Sequence, residues 1–181
     1  MPTLPQVEPT EVTGETASLL AEVKKNMGAV PNLVKVMTNS PAVLKGWLAL
    51  SGALSGGDLP RGVRERLAIA AAEFNGCEYC LSAHTYVAGK VARIEASELE
   101  AARDAKSADP RAAALLALSD AIIRGRGKVD GTVLADARAA GVTDGEIVEV
   151  VGNLALNVLT NFLNNVADTD NEWPLVTPHA H

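Results

Sequence analysis

Cysteine is nearly missing from this 181-residue chain: there are two, and only one histidine stands outside the last three residues. So few thiols exclude a disulfide scaffold, and a chain of this length buries roughly 70% of its unfolded surface without one. Aromatics are scarce too, two each of Trp, Tyr and Phe. The apolar content is mainly Ala, Leu and Val, which suits helices packed closely through small side chains. Basic residues are outnumbered, 16 Lys and Arg against 22 Asp and Glu, for a net charge of −6. That balance argues against nucleic acid as a partner, since phosphate binding needs a concentrated basic surface. No apolar run reads as reaching the ~18 residues of a membrane span. The opening "MPTLPQVEPTEV" has no basic stretch followed by an apolar one, so it does not read as a secretory signal. The expectation is a cytoplasmic protein with no membrane partner.

Period-2 alternation is absent as well, which excludes half-buried strands and a thioredoxin-like βαβ unit. What is present is helical punctuation. Helices are expected over 15–27, from Ser40-Pro41 to Gly56-Gly57, over 61–74 before Asn75-Gly76, and over 77–89. Ser97 and Glu100 suggest a capping box for a short helix. Asp109-Pro110 opens another helix, and residues 130–141 form one more. Thr143 and Glu146 make a second capping box ahead of a long apolar run. The chain therefore reads as all-α, with about seven or eight helices in one domain over 15–170. An extended arm (1–14) precedes it, and an irregular tail (171–181) follows and packs on the body.

The scarce sulfur and imidazole fall within eight positions, Cys77, Cys80 and His84, in the stretch "EFNGCEYCLSAH". On an α-helix these three lie within an arc of roughly 60°. The unpaired N–H groups and dipole of a first turn favour thiolate over thiol. A cysteine of pKa ~8.5 is a few per cent ionised at pH 7, and one of pKa ~6 about 90%, a gain of some thirtyfold. Such a thiolate can attack a peroxide oxygen, and a second cysteine can resolve the sulfenic acid as a disulfide. A carboxylate to orient His84 would complete the relay. Two candidates lie on the preceding helix: Glu65 shares a row with Ile69 and Ala72 that would draw it inward, whereas Glu73 shares one with Arg66 and can make a surface pair, so spacing favours Glu65 and leaves Glu73 open.

The stretch "RERLAIAAAEFNGCEYCLSAH" resembles the AhpD-like alkylhydroperoxidase group of the carboxymuconolactone decarboxylase family. Glu65, Cys77, Cys80 and His84 match the family pattern position by position. The likeness extends over roughly residues 40–170, including the segment "GVTDGEIVEVVGNLALNVLTNFLNNVAD". It implies an AhpD-like helical fold that assembles as homotrimers or hexamers. It implies a hydroperoxide substrate, attack by Cys80, resolution by Cys77, and a proton relay through Glu65 and His84. No cofactor is implied. The disulfide would be re-reduced by a dithiol, which in the best-studied subgroup is a lipoyl-bearing protein. One departure is Tyr79, where those members carry a histidine; tyrosine donates a hydrogen bond but does not readily relay protons at neutral pH.

Three rival readings stand beside this one. Cys77, Cys80, His84 and Glu65 could ligate zinc, although outside the tail, with His179 and His181, no second ligand pair exists. Acid–base chemistry on a lactone or keto acid is the activity for which the family is named, but those members generally lack the C-x-x-C. A non-enzymatic helical assembly is the third. Asn153, Asn157, Asn161, Asn164 and Asn165 stand out in the long apolar run, as bonds across subunits or as solvent-facing positions.

Overall fold

The computed structural model describes residues 2–179; Met1 of the expected arm, and Ala180 and His181 of the expected tail, lie outside the described residues. Among the described residues there are nine α-helices, one 3-10 turn (Pro9–Glu11) and no strand. The helices are α1 (Gly14–Met27), α2 (Asn32–Met37), α3 (Pro41–Ser55), α4 (Arg61–Phe74), α5 (Glu78–Lys90), α6 (Ala96–Arg103), α7 (Pro110–Arg124), α8 (Gly131–Ala139) and α9 (Asp144–Ala167).

The fold is organised around α4, which packs against α5, α6, α7 and α9. Its alanines allow this, because a side chain of one carbon lets neighbouring backbones approach on several sides. Ile69 and Ala72 join a core with α1, α2 and α5, while Leu67 and Ala71 join a second core with α7, α8 and α9. The helix carrying Glu65 thus stands between the two halves of the interior.

Local signals explain most helix ends. Ser40 accepts a hydrogen bond from the Val43 N–H, with Pro41 in the first turn. Asp109 and Asp130 cap α7 and α8 in the same manner. The Thr143–Glu146 capping box forms reciprocally, each side chain satisfying a backbone N–H that the helix start leaves free. The box expected of Ser97 and Glu100 does not form. Glu95 takes the extended N-cap backbone (φ −63°, ψ 146°), so Ser97 is already inside α6 and cannot cap it. The short α2 has no counterpart in the sequence reading. Its six residues include four buried apolar ones, Leu33, Val34, Val36 and Met37, too dense a run to show a period. Burial stabilises this helix, since one so short is not stable on its own.

The expectation that no segment is long and apolar enough to cross a membrane is corrected by α9. Its 24 residues are long and apolar enough for that by length and composition alone, as the core helix of a folded domain also is. Here α9 packs against α3, α4, α5 and α7.

The arm and tail are both tied down. Thr3 N–H donates to the Ala167 carbonyl at 2.7 Å, and Lys35 pairs with Glu8 at 2.8 Å. From the tail, Glu172 accepts from the Asn32 N–H at 2.9 Å, and the Val176 N–H donates to the Ser82 hydroxyl at 2.9 Å. The tail therefore lies along α5, the helix that carries Cys80 and His84.

Candidate active site

The junction of α4 and α5 places the sulfurs. Gly76 adopts φ 61°, a left-handed conformation that glycine enters without the steric cost of a Cβ. Around it the Gly76 N–H bonds the Glu73 carbonyl and the Cys77 N–H bonds the Ala72 carbonyl, the double closure of a Schellman motif. Cys77 is thereby the residue that ends one helix and caps the next. Its sulfur accepts from the Cys80 N–H at 3.3 Å. The expected helical position for Cys77 is corrected by one residue: at φ −92°, ψ 95° it is the extended N-cap, and α5 starts at Glu78.

Cys80 lies in that first turn, and α9 meets it with amides. Asn164 Nδ2 donates to Cys80 Sγ at 3.1 Å. Asn161, fully buried, is held by Asn75, whose Nδ2 donates to Asn161 Oδ1 at 2.8 Å. Its own amide nitrogen has no hydrogen-bond partner, and its presence near the sulfurs favours the thiolate form of each. Both cysteines are free thiols, 0% and 2% exposed. Buried filler cysteines sit in hydrocarbon; these face a polar wall.

The wall divides the two thiols electrically. Burial disfavours the Cys80 thiolate, but the Cys77 hydrogen bond, the His84 charge and the amides of Asn161 and Asn164 outweigh it and lower its pKa to about 6. Cys77 goes the other way. Its hydrogen bond to Cys80, then burial, then the Cys80 charge push its thiol far above the ordinary range. The two thiols are thus biased apart, Cys80 toward the thiolate and Cys77 toward the protonated form. The sequence reading had both sulfurs sharing the first-turn advantage, and only the packed environment separates them.

His84 Nδ1 lies 2.8 Å from Glu65 Oε2, which leaves Nε2 as the other proton-carrying position. Burial lowers the His84 pKa, but the hydrogen bond and charge of Glu65, with the charge of Cys80, raise it above its ordinary value overall. The imidazole remains 32% exposed and, with Glu65, lines a cleft of about 130 Å³ between α3, α4, α5 and α9. The four residues form two pairs, Cys77 with Cys80 and His84 with Glu65, and the charges of Cys80 and His84 act on one another between them. Glu73 is not the surface partner of Arg66. It is buried, pairs with Arg103 at 2.6 Å and accepts from the His179 N–H at 2.6 Å, while Arg66 pairs with Glu98. Tyr79 is 6% exposed, accepts from the Leu33 N–H at 3.2 Å and donates to Glu172 at 2.8 Å. It anchors α2 and the tail rather than the relay.

Asn161 and Asn164 were legible as anomalies in an apolar run but not as partners of sulfur, because no spacing rule links them to residues some eighty positions earlier. Neither faces solvent. Asn153 and Asn157 bond their own helix, donating to the Glu149 and Asn153 carbonyls, and Asn165 donates to the Asn75 carbonyl at 3.0 Å. Among the described residues no three His, Cys, Asp or Glu side chains are gathered as a metal site.

Residues 41–121 match the profile of the Carboxymuconolactone decarboxylase family. An alkyl hydroperoxide reductase of Mycobacterium tuberculosis is 33% identical over 88 residues, 46% of this chain but only 26% of that relative's length. Among solved structures, a peroxidase-related protein from Ralstonia eutropha JMP134, described as an alkylhydroperoxidase AhpD core, superimposes with a TM-score of 0.83 at 21% identity, covering 94% of this chain and 92% of that one. The debrominase Bmp8, in complex with 2,3,4-tribromopyrrole, gives 0.78 at 16% identity, covering 94% and 91%. At those identities the likeness establishes the shared AhpD-like all-α fold.

Proposed function

We propose that this chain, whose residues 41–121 match the Carboxymuconolactone decarboxylase family, is a thiol peroxidase reducing hydroperoxides through a Cys80–Cys77 disulfide cycle. The observation that carries this reading is the clamp on Cys80: a sulfur that accepts from Asn164 at 3.1 Å, beside a second cysteine held one helical turn away.

The steps follow from the proton positions. The Cys80 thiolate attacks the terminal oxygen of R–O–O–H, and the O–O bond breaks. Cys80 becomes the sulfenic acid, and the departing alkoxide takes a proton from the His84 imidazolium to leave as R–OH. Neutral His84 then accepts the Cys77 proton. The Cys77 sulfur attacks Cys80 Sγ, and the hydroxide that leaves is protonated by His84 to water. The peroxide has gained two electrons, both from sulfur. A dithiol returns them and becomes a disulfide itself. Glu65 keeps the His84 ring oriented and its proton available through the Nδ1 bond. A reducing, cytoplasmic compartment suits this cycle, because the dithiol form must be regenerated.

We also place the apolar outer stripe of α9, with Val148, Val151, Phe162 and Val166 exposed, at contacts between copies in a homo-oligomer. A second reading is acid–base catalysis by Glu65 and His84 alone, favoured by one observation: these two line the cleft while the sulfurs are buried. The Asn164–Cys80 contact has no task in it.

The test is mass spectrometry and peroxide consumption with dithiothreitol or dihydrolipoamide as reductant. The expected result is loss of two hydrogens on treatment with one equivalent of hydroperoxide, reversed by the dithiol. Cys80→Ser should abolish consumption, and Cys77→Ser should accumulate a sulfenic acid trapped by dimedone. Peroxide consumption unaffected by Cys80→Ser overturns the reading.

A further inference from the structure

Among the described residues three arginines are half-buried, Arg64, Arg66 and Arg103. Arg66 and Arg103 are neutralised by Glu98 at 3.1 Å and Glu73 at 2.6 Å. Arg64 has no carboxylate within ion-pair distance. It donates once, from one terminal nitrogen to the Leu54 carbonyl at 3.2 Å, and its buried Nε–H meets no protein acceptor. A guanidinium carries five N–H donors, so the cap on the end of α3 uses a small part of it. Withdrawing a cation from water without an opposing charge is costly. Of the half-buried arginines, the one left unpaired is the one that lines the His84 cleft.

The neighbouring acids do not neutralise it. Glu65 is held by His84 at 2.8 Å, with Arg61 at 3.9 Å. Glu149 accepts from the Asp58 and Leu59 N–H groups at 2.8 and 2.9 Å. The remaining walls are of two kinds. Asn153 and Asn157, 4% and 6% exposed, supply polar amides, while Leu54, Ala68 and Leu156 supply hydrocarbon. Charge at one point and hydrocarbon around it is the pattern of a site for a small amphiphilic acid. The volume sets the size: a cavity of 150 Å³ holds benzene, so about 130 Å³ admits a body of roughly six heavy atoms.

We propose that this cleft is a carboxylate-binding subsite, with Arg64 as the anion receptor, and that the protein's substrates are short organic hydroperoxides bearing an acid group. This rests on the peroxidase reading for the reacting group, but the acid subsite stands on Arg64 and the cleft alone. The guanidinium takes the carboxylate, the aliphatic part lies on Leu54, Ala68 and Leu156, and the peroxide end is directed toward His84.

Two measurements test it, chosen so that the subsite and the peroxidase reading fail separately. The first uses no turnover: titration of the wild-type protein with butanoate and with butanamide, followed by calorimetry and by NMR of the His84 ring. Butanoate is expected to bind at least tenfold tighter than butanamide and to shift the ring resonances. Arg64→Gln should remove that preference and Arg64→Lys should retain part of it. Equal affinity for acid and amide, or a preference that survives Arg64→Gln, overturns the subsite. Because the wild-type comparison needs no variant, a folding defect in Arg64→Gln does not blunt the test. The second is the ratio of kcat/KM for a short-chain hydroperoxy acid to that of its methyl ester. It is expected at about ten in the wild type and near one in Arg64→Gln; a wild-type ratio near one overturns the assignment of substrate. If neither hydroperoxide is consumed, the peroxidase reading and this substrate assignment both fall, and butanoate binding still decides the subsite.

Discussion

The two faces of α9 reverse the usual order of a helix in water. Its inner row carries Asn153, Asn157, Asn161 and Asn164, all buried, while its outer row exposes Val148 at 70%, Phe162 at 55% and Val166 at 66%. An amphipathic helix ordinarily turns its apolar stripe to the core. The inversion shows that the inner face is selected for what it touches. Asn161 and Asn164 stand at the sulfurs, and Asn153 and Asn157 line the cleft beside His84. Four amides in an interior are tolerable because each has a bonding task, to backbone, to another amide or to sulfur. The outer face has no such task within one chain.

The contrast is broken most directly by changing the inner row. Asn164→Asp keeps size and shape but sets a carboxylate against the Cys80 thiolate. The midpoint of Cys80 alkylation against pH is expected to rise by about two pH units, lowering reactivity at pH 7 about tenfold. In the wild type alkylation should climb through pH about 6 and level off above it, since a lowered thiol pKa makes the reactive form dominant on the alkaline side. A flat profile in that range would remove the distinction between the faces.

A smaller effect is expected off α9. Tyr79→Phe deletes the bonds to Leu33 and Glu172 and should cost about 1 kcal/mol by urea unfolding. The alkylation midpoint should stay in place, which separates a structural anchor from the reacting set. Glu65→Gln sharpens the site further. Without the carboxylate His84 loses its proton at lower pH, so Cys80 loses a cationic neighbour near neutrality. Its midpoint should move upward by less than about one pH unit.

The outer row should give the smallest change within one chain. Val148→Lys with Val166→Lys is expected to alter single-chain stability by no more than about 0.5 kcal/mol. The same pair should reduce the particle mass by light scattering to that of one chain. A particle mass that does not change would show that this face is not the contact between copies.

Much of the fold is legible in the sequence. Caps at Ser40, Asp109, Asp130 and Thr143 and the glycine after Asn75 are local devices, and they act locally. The short α2 escaped because burial, not periodicity, holds it. The capping box at Ser97 failed because two residue types at the right spacing do not choose where the backbone turns. Glu73 reads as a surface acid in the sequence because its partners Arg103 and His179 are distant in the chain.

By itself the sequence determined that the chain is helical and that Cys77, Cys80 and His84 stand within a few turns of one another. Those follow from capping chemistry and from 3.6 residues per turn, which need no knowledge of neighbours. Tertiary structure alone decided how the surroundings separate the two thiols, that Glu73 is buried against Arg103, and which arginine is left without a carboxylate. Each depends on charges and amides brought from other helices into a poorly solvated interior. There a single donor at 3 Å outweighs local propensity.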